Sequence, residues 1–272
     1  MPELPEVETV VRSVAPHLAG RRIVEARFDS RFVTPGNRKR LAGRLAGRTI
    51  ESIQRRGKFI QVTLDQGVLT IHLGMTGSLR VSATADAPAL TGVHTHGMFT
   101  LDATREPGVL LYIDPRQFGR IEWTPSVSPR VARLGPEPLE ITLEEFVGRL
   151  RRRARVKALL LNQSFLAGVG NIYADESLFA AGIHPLAIAA RLKPERAERL
   201  HCAIQEILRA AIASGGSSIS DYVDALGERG WFQVEHRAYG REGEPCKVCG
   251  TPIKKILVAQ RGTHFCPKCQ RR

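Results

Sequence analysis

The sequence predicts an α+β multidomain protein: an N-terminal antiparallel β-sandwich with a leading helix, a helical domain, and a C-terminal metal-held β-hairpin. Three observations carry this. From Arg22 to Thr124 the chain reads as short β-type segments broken by glycine and proline, and from Thr142 onward its apolar residues recur at helical spacing. The last part carries four cysteines in two CxxC pairs. At 272 residues the chain is long enough for more than one domain, and the expected boundaries fall at 1–136, 137–230 and 231–272.

In chain order, PELPEVET (2–9) comes first. A small second residue permits removal of Met1, which leaves Pro2 with a free secondary amine. An α-amino group titrates near about 7.7 to 8.0, so a neutral, nucleophilic fraction exists at physiological pH. Glu3 lies beside that amine as an acid or base, and Glu6 shares its helix face. An ordinary helix start, with proline near the first turn and acids complementing the dipole, explains the same string. Strands follow in KFIQVTLD (58–65), GVLTIHLG (67–74), GMFTLD (97–102) and GVLLYID (108–114), and a proline-containing linker runs from Thr124 to Pro138. Thr142 with Glu145 forms a capping-box pattern. Helices are then expected in VKALLLNQ, NIYADESLFAAG and Pro194–Ala213, where Cys202 reads as a buried small hydrophobe. SGGSSISDY (214–222) reads as a helix end with capping glycines.

Cys246, Cys249, Cys266 and Cys269 have the spacing of a closed tetrahedral zinc site, which holds a hairpin and leaves no open position for chemistry. One structural Zn²⁺ is therefore expected, with no redox or organic cofactor. The hairpin is expected to turn at Gly262 with Arg261 at its tip, beside Lys254, Lys255 and His264. A net charge of +13 calls for a polyanionic partner, and nucleic acid leads because a basic surface steers association with phosphates. An anionic membrane satisfies the same charge, but the sequence shows no basic amphipathic anchor, spanning run or signal-peptide pattern. The chain reads as cytosolic.

PELPEVET, RRGKF (55–59), HLGMTGSL (72–79), DPRQFG (114–119), LAGVGNIYADE (166–176) and the terminal QRGTHFCPKCQ together resemble the bacterial formamidopyrimidine-DNA glycosylase family over nearly the whole chain. The resemblance implies a β-sandwich, a helix-two-turn-helix domain and a zinc finger, with DNA between them. It implies a repair enzyme, acting as a monomer on double-stranded DNA in the bacterial cytoplasm, that flips out oxidised purines, excises them through a Pro2 iminium and cleaves the abasic strand by β and δ elimination. Pro2 and Glu3 would do the chemistry, Glu6 would support the pocket, and Lys58 and Arg261 would face the scissile phosphates. His72, His94, Arg116, Arg152 and Asn171 would contact DNA, with Lys157 sharing the role of Arg152. Met75, Arg116 and Phe118 would fill the space left by the flipped base, and Ser217, Ser218, Ser220 and Tyr222 would form a loop over the lesion.

Other readings stay open. Met75 and Phe118 read in isolation as core residues, and Lys58 as a solvated charge. The glycines before Asn171, Gly168 and Gly170, suit a helix cap as well as a phosphate cradle. The residues between His94 and Arg116 imply an extended hairpin tip through DATREPG. While Met1 remains, the Pro2 nitrogen is an amide and cannot attack. An endonuclease VIII-like enzyme for oxidised pyrimidines, or a non-catalytic zinc-finger DNA-binding protein, would share the charge and the cysteines.

Overall fold

The computed structural model describes residues 1–84, 92–218 and 222–271. They form two compact units, Met1–Ala132 with Gly215–Gly230, and Arg133–Ser214 with Trp231–Arg272.

The first unit opens with α1 (Leu4–Leu18), whose residues Leu4, Val7, Val10, Val11, Val14 and Leu18 are buried. That spacing places them on one stripe of the helix, and each buried aliphatic side chain contributes about 1.5–3 kcal/mol. Strands β1 (Ile23–Phe28), β6 (Thr95–Leu101), β7 (Val109–Ile113) and β5 (Ser78–Ser82) make one antiparallel sheet in that order. Strands β2 (Ile50–Arg56), β3 (Phe59–Leu64), β4 (Val68–His72) and β8 (Arg120–Thr124) make the other. Both share one core with α1, including Ile53, Ile60, Phe99 and Ile121. In β3, buried Ile60, Val62 and Leu64 alternate with half-buried neighbours, the period-two pattern legible in the sequence. Between β1 and β2 lies α2 (Arg38–Leu45), which the apolar pattern did not announce because it buries only Leu45.

The β6–β7 connection, residues 102–108, is gripped by buried Arg21, which donates to Asp102 Oδ1 (2.6 Å) and to the Pro107 carbonyl (2.9 Å). This tip follows β6, whereas His94 precedes it, its backbone carbonyl accepting the Asp114 N–H at 2.9 Å. The tip and His94 are therefore at opposite ends of the strand.

The second unit contains α4 (Leu143–Arg149), α5 (Val156–Leu161), α6 (Asn171–Ala180), α7 (Pro194–Ala213), and a hairpin of β9 (Lys254–Val258) and β10 (Arg261–Phe265); the short α3 (Pro129–Ala132) ends the first. Thr142 caps α4 by accepting the Glu145 N–H at 3.2 Å. The buried stripe of α7 is Ala197, Leu200, Ala203, Ile204, Leu208 and Ala211. Cys202 lies off that stripe and is exposed, so the expectation of a buried thiol is corrected by helix phase. The hairpin turn is also corrected. It lies at Ala259 and Gln260, both left-handed (φ 49° and 58°), while Gly262 sits in β10 opposite Leu257.

Two groupings by contact cut across the expected domains: residues 215–230 pack into the first unit, and the cysteine hairpin packs with the helices in the other. The cause of the second is shared burial: Phe179 of α6 packs in one apolar cluster with Ala238, Cys246, Ile253 and Cys266.

Candidate active site and DNA-contacting residues

The first unit gathers its carboxylates at the start of α1. Pro2, Glu3 and Glu6 are all buried, and Met1 is exposed. Glu3 caps the helix, and Glu6 Oε2 accepts the Glu3 N–H at 2.8 Å. Both carboxylates lie at the positive end of the helix dipole. The other Glu6 oxygen, Oε1, accepts the Ser217 N–H at 2.8 Å. With both oxygens engaged, Glu6 holds the backbone around Pro2 and is poorly placed to shuttle protons.

The segment 215–218 that meets Glu6 needs its glycines. Gly216 has φ +82°, and a Cβ there would stand 2.8 Å from Glu6 Oε1. Tyr222 donates its hydroxyl to the Glu6 carbonyl (3.1 Å), and Ser218 Oγ donates to the Tyr222 carbonyl (2.9 Å). Ser217, Ser218 and Tyr222 are thus anchored to the helix carrying Glu3; Ser220 lies outside the described residues.

One turn along α1, Glu8 binds Arg55 of β2 at 2.9 Å. Burial pushes the Glu8 carboxyl up, but hydrogen bonds from Arg12 and Arg55 outweigh it and leave the group below its ordinary range. Arg55 also donates to the Gly57 carbonyl at 3.2 Å, which braces the turn before Lys58. Lys58 is only 6 % exposed, so it is not a solvated surface charge. Its neighbour Phe59 pairs across the ladder with His72, ring centroids 4.9 Å apart. Burial, then the charges of Lys58 and Arg130, push the His72 imidazole down to about 4. His72 Nδ1 accepts the Gly74 N–H at 3.1 Å, so neutral His72 carries its proton on Nε2.

Met75 and Phe118 are 42 % and 57 % exposed, which removes the core-packing reading of both. Arg116 is exposed as well and lies over the Phe118 ring, 4.8 Å from its centroid. Behind them sits Asp114, fully buried, which accepts from Thr76 Oγ1 (2.6 Å) and the Gly119 N–H (2.8 Å). His94 is exposed at the same strand end.

In the second unit Gly170, not Asn171, caps α6. Asn171 is the first helical residue, and its Nδ2 donates to the Gly262 carbonyl of β10 at 2.9 Å, while its buried Oδ1 has no protein partner. Lys157 corrects an expectation. It is fully buried, 2.6 Å from Asp175 Oδ1 and 3.4 Å from the Gly262 carbonyl, so it cannot share a phosphate contact with the exposed Arg152. Asp175 Oδ2 accepts the His264 N–H at 2.8 Å. Glu176 accepts three N–H groups, from Arg237, Ala238 and Tyr239. These bonds fix the hairpin on α6 and leave Arg261 exposed beside the turn.

The four cysteine sulfurs lie within 4.8 Å of one another, with Cys246–Cys269 at 3.9 Å and Cys249–Cys266 at 3.4 Å. Tetrahedral thiolates about 2.3 Å from zinc stand about 3.8 Å apart. The Val248 and Cys269 N–H groups point at Cys246 and Cys266 Sγ, each at 3.4 Å, as donors to thiolates. The residues fit one structural Zn²⁺.

Asp114, Asp175, Glu176 and the Glu8–Arg55 pair had no role in the sequence reading. The available signal was acidic residues inside otherwise apolar or basic motifs, DPRQFG and NIYADE. Among the described residues no helix is long and apolar enough to cross a membrane.

Three family models match the chain: "Formamidopyrimidine-DNA glycosylase N-terminal domain" over residues 1–121, "Formamidopyrimidine-DNA glycosylase H2TH domain" over 134–223, and "Zinc finger found in FPG and IleRS" over 243–272. A formamidopyrimidine-DNA glycosylase of Solibacter usitatus is 55% identical over 275 residues, covering 100% of both chains. A solved complex of Lactococcus lactis Fpg with abasic-site DNA superposes with TM-score 0.89 at 39% identity, covering 99% of this chain and 100% of that one. A MutM complex with DNA containing carbocyclic 8-oxo-G has TM-score 0.89 at 39% identity, with 100% of both chains covered.

Proposed function

The chain belongs to the formamidopyrimidine-DNA glycosylase family, and from that premise we propose that it excises oxidised purines from duplex DNA with the processed Pro2 amine as nucleophile. The observation carrying this reading is the buried Glu3 carboxylate at the α1 N-terminus, next to Pro2 and held by Glu6. A non-catalytic DNA-binding protein has no use for a buried acid beside its N-terminal nitrogen.

Once Met1 is removed, the Pro2 nitrogen attacks C1′ of the extruded nucleotide. The N–C1′ bond forms as the glycosidic bond breaks, and its electron pair leaves with the base. Glu3 takes up the proton that the Pro2 nitrogen sheds and passes it to the ring oxygen as the sugar opens, giving an iminium. The iminium acidifies the C2′ proton, whose loss expels the 3′ phosphate. A second elimination expels the 5′ phosphate, and water then releases Pro2. Lys58 and Arg261 supply positive charge to the departing phosphates.

DNA is held by Asn171, Arg152 and Arg261 from the second unit and by neutral His72, His94 and Arg116 from the first. Asn171 suits a phosphate because the N-terminus of α6 adds its dipole. Met75, Arg116 and Phe118 fill the gap left by the lesion, and Ser217, Ser218 and Tyr222 border the extruded base. Zinc on the four cysteines would hold the hairpin that presents Arg261 and supplies no chemistry of its own. With bacterial relatives and a DNA substrate, its place of action is the nucleoid.

The test is a duplex with one 8-oxoguanine opposite cytosine, scored separately for base release and nicking. Glu3→Gln keeps the side-chain shape but cannot titrate. Base release should fall by about a hundredfold or more with duplex affinity unchanged. Base release at the unaltered rate in Glu3→Gln would reject the assignment.

A further inference from the structure

The turn carrying Met75 and the loop carrying Arg116 and Phe118 share a topological peculiarity. β4 and β8 are neighbours in one sheet, and β5 and β7 are neighbours in the other. Residues 73–77 and 114–119 are therefore antiparallel crossovers between the two sheets, side by side at one end, and no strand ladder holds one to the other. The register stops at His72↔Arg120 and Ser78↔Ile113. Beyond it, side chains must do the holding.

Asp114 does so from a fully buried position. Oδ1 accepts the Thr76 hydroxyl at 2.6 Å; Oδ2 accepts the Gly119 N–H at 2.8 Å and lies 3.4 Å from the Tyr112 hydroxyl. Thr76 Oγ1 in turn accepts the Arg116 N–H at 3.3 Å. One carboxylate thus ties the residue after Met75 to the residue after Phe118, and Thr76 passes the connection to Arg116. The crossovers approach so closely that a Cβ on Gly74 would stand 2.5 Å from the Gly119 nitrogen. Between Arg116 and Phe118, Gln117 is left-handed at φ 53°, a conformation that persists only where neighbours over-determine it. Two bonds supply this: the Ser30 hydroxyl donates to Gln117 Oε1 at 2.6 Å, and the Gln117 N–H donates to the Asp114 carbonyl at 3.1 Å.

A carboxylate accepts on both oxygens, whereas an asparagine that kept the Gly119 N–H on its oxygen would turn its NH₂ toward the Thr76 hydroxyl and reverse the bond between the crossovers, against an oxygen that already accepts the Arg116 N–H. We propose that Asp114, acting through Thr76, is a positioning residue that locks Met75, Arg116 and Phe118 into one pre-formed element, so that they enter the duplex together and extrusion of the lesion depends on this lock. The proposal rests on the reading that these three residues fill the space left by the flipped nucleotide. Pre-organisation matters here because any ordering done on binding is subtracted from the free energy available to unstack a base.

Thr76→Val removes the hydroxyl at nearly constant shape on a half-buried residue, and Asp114→Asn removes the carboxylate. Both are assayed in the full-length, Met1-processed protein on a duplex containing 8-oxoguanine and on the same duplex with a pre-formed abasic site. Excision of the paired lesion should fall about tenfold or more, the scale of a lost hydrogen bond to a charged group, while nicking at the abasic site stays within about twofold. Met75→Ala should cost less in the Thr76→Val background than alone, because residues of one unit are non-additive. Folded Thr76→Val that loses both activities equally, or costs that add, would overturn the lock, and Thr76→Val decides if Asp114→Asn does not fold. If the unaltered protein fails to nick the abasic duplex, the functional reading itself falls, a result distinct from either of these.

Discussion

His72 shows how burial decides a residue's chemistry here. Half-buried between Phe59 and the charges of Lys58 and Arg130, it is held down to about 4 and stays neutral through the physiological range. In the unfolded chain the same imidazole titrates near about 6.5. The unfolded state therefore binds more protons between these values, and the stability conferred by neutral His72 is complete above about pH 6.5 and lost as pH falls toward about 4. Urea unfolding should be less favourable to the native state at pH 5 than at pH 7, with His72 contributing on the order of 1 kcal/mol of the difference. His72→Gln, which can still accept the Gly74 N–H, should flatten that slope, and an unchanged slope would contradict the assignment. The neutrality of His72 was not legible in the sequence, because it depends on a cross-strand partner and two distant cations. Lys157 was misread for the same reason: its burial depends on Asp175 and on a hairpin carbonyl far along the chain. Pro2, Glu3 and Glu6 were legible because their relation is local, one helical turn from a proline start.

Elements with a clear period were read well. The Pro194–Ala213 helix has the expected ends, and the strands around Phe59–Leu64 and Val109–Ile113 fall inside the segments expected for them. α2 escaped because one buried leucine leaves no period, and the hairpin turn was misplaced because Ala259 and Gln260 are not the residues that left-handed turns usually select. The excursion of residues 215–230 onto α1 had no local signal, since Glu6 and Ser217 meet only through the fold. The cysteine hairpin was legible from spacing, and its consequence can be tested at this scale. Cys249→Ser should lose zinc and, with it, the ordered presentation of Arg261, so that nicking falls about tenfold or more. The β-sandwich should remain folded because it belongs to the other unit. Zinc content, near-UV circular dichroism and nicking of an abasic duplex measure the three parts, and a zinc-free variant that nicks normally would remove the hairpin from the account.

At the scale of the whole molecule, the proposed roles in a +13 chain fall on two units. One carries Pro2, Glu3, Lys58 and the Met75–Arg116–Phe118 group; the other carries Asn171, Arg152 and the hairpin with Arg261. The polyanionic partner was legible from charge alone, and the kind of partner from motif order over the full length. Which unit each segment joins was not, because that depends on contacts across more than two hundred residues. The proposed chemistry depends on a secondary amine at Pro2, and covalent capture tests it directly. Borohydride added during reaction with a duplex containing 8-oxoguanine should reduce the iminium and leave a protein–DNA adduct, which peptide mapping places on the N-terminal peptide. The same chain with residues added before Pro2, whose nitrogen is then an amide, should form none. An adduct on a lysine, or undiminished capture by the extended chain, would contradict the account.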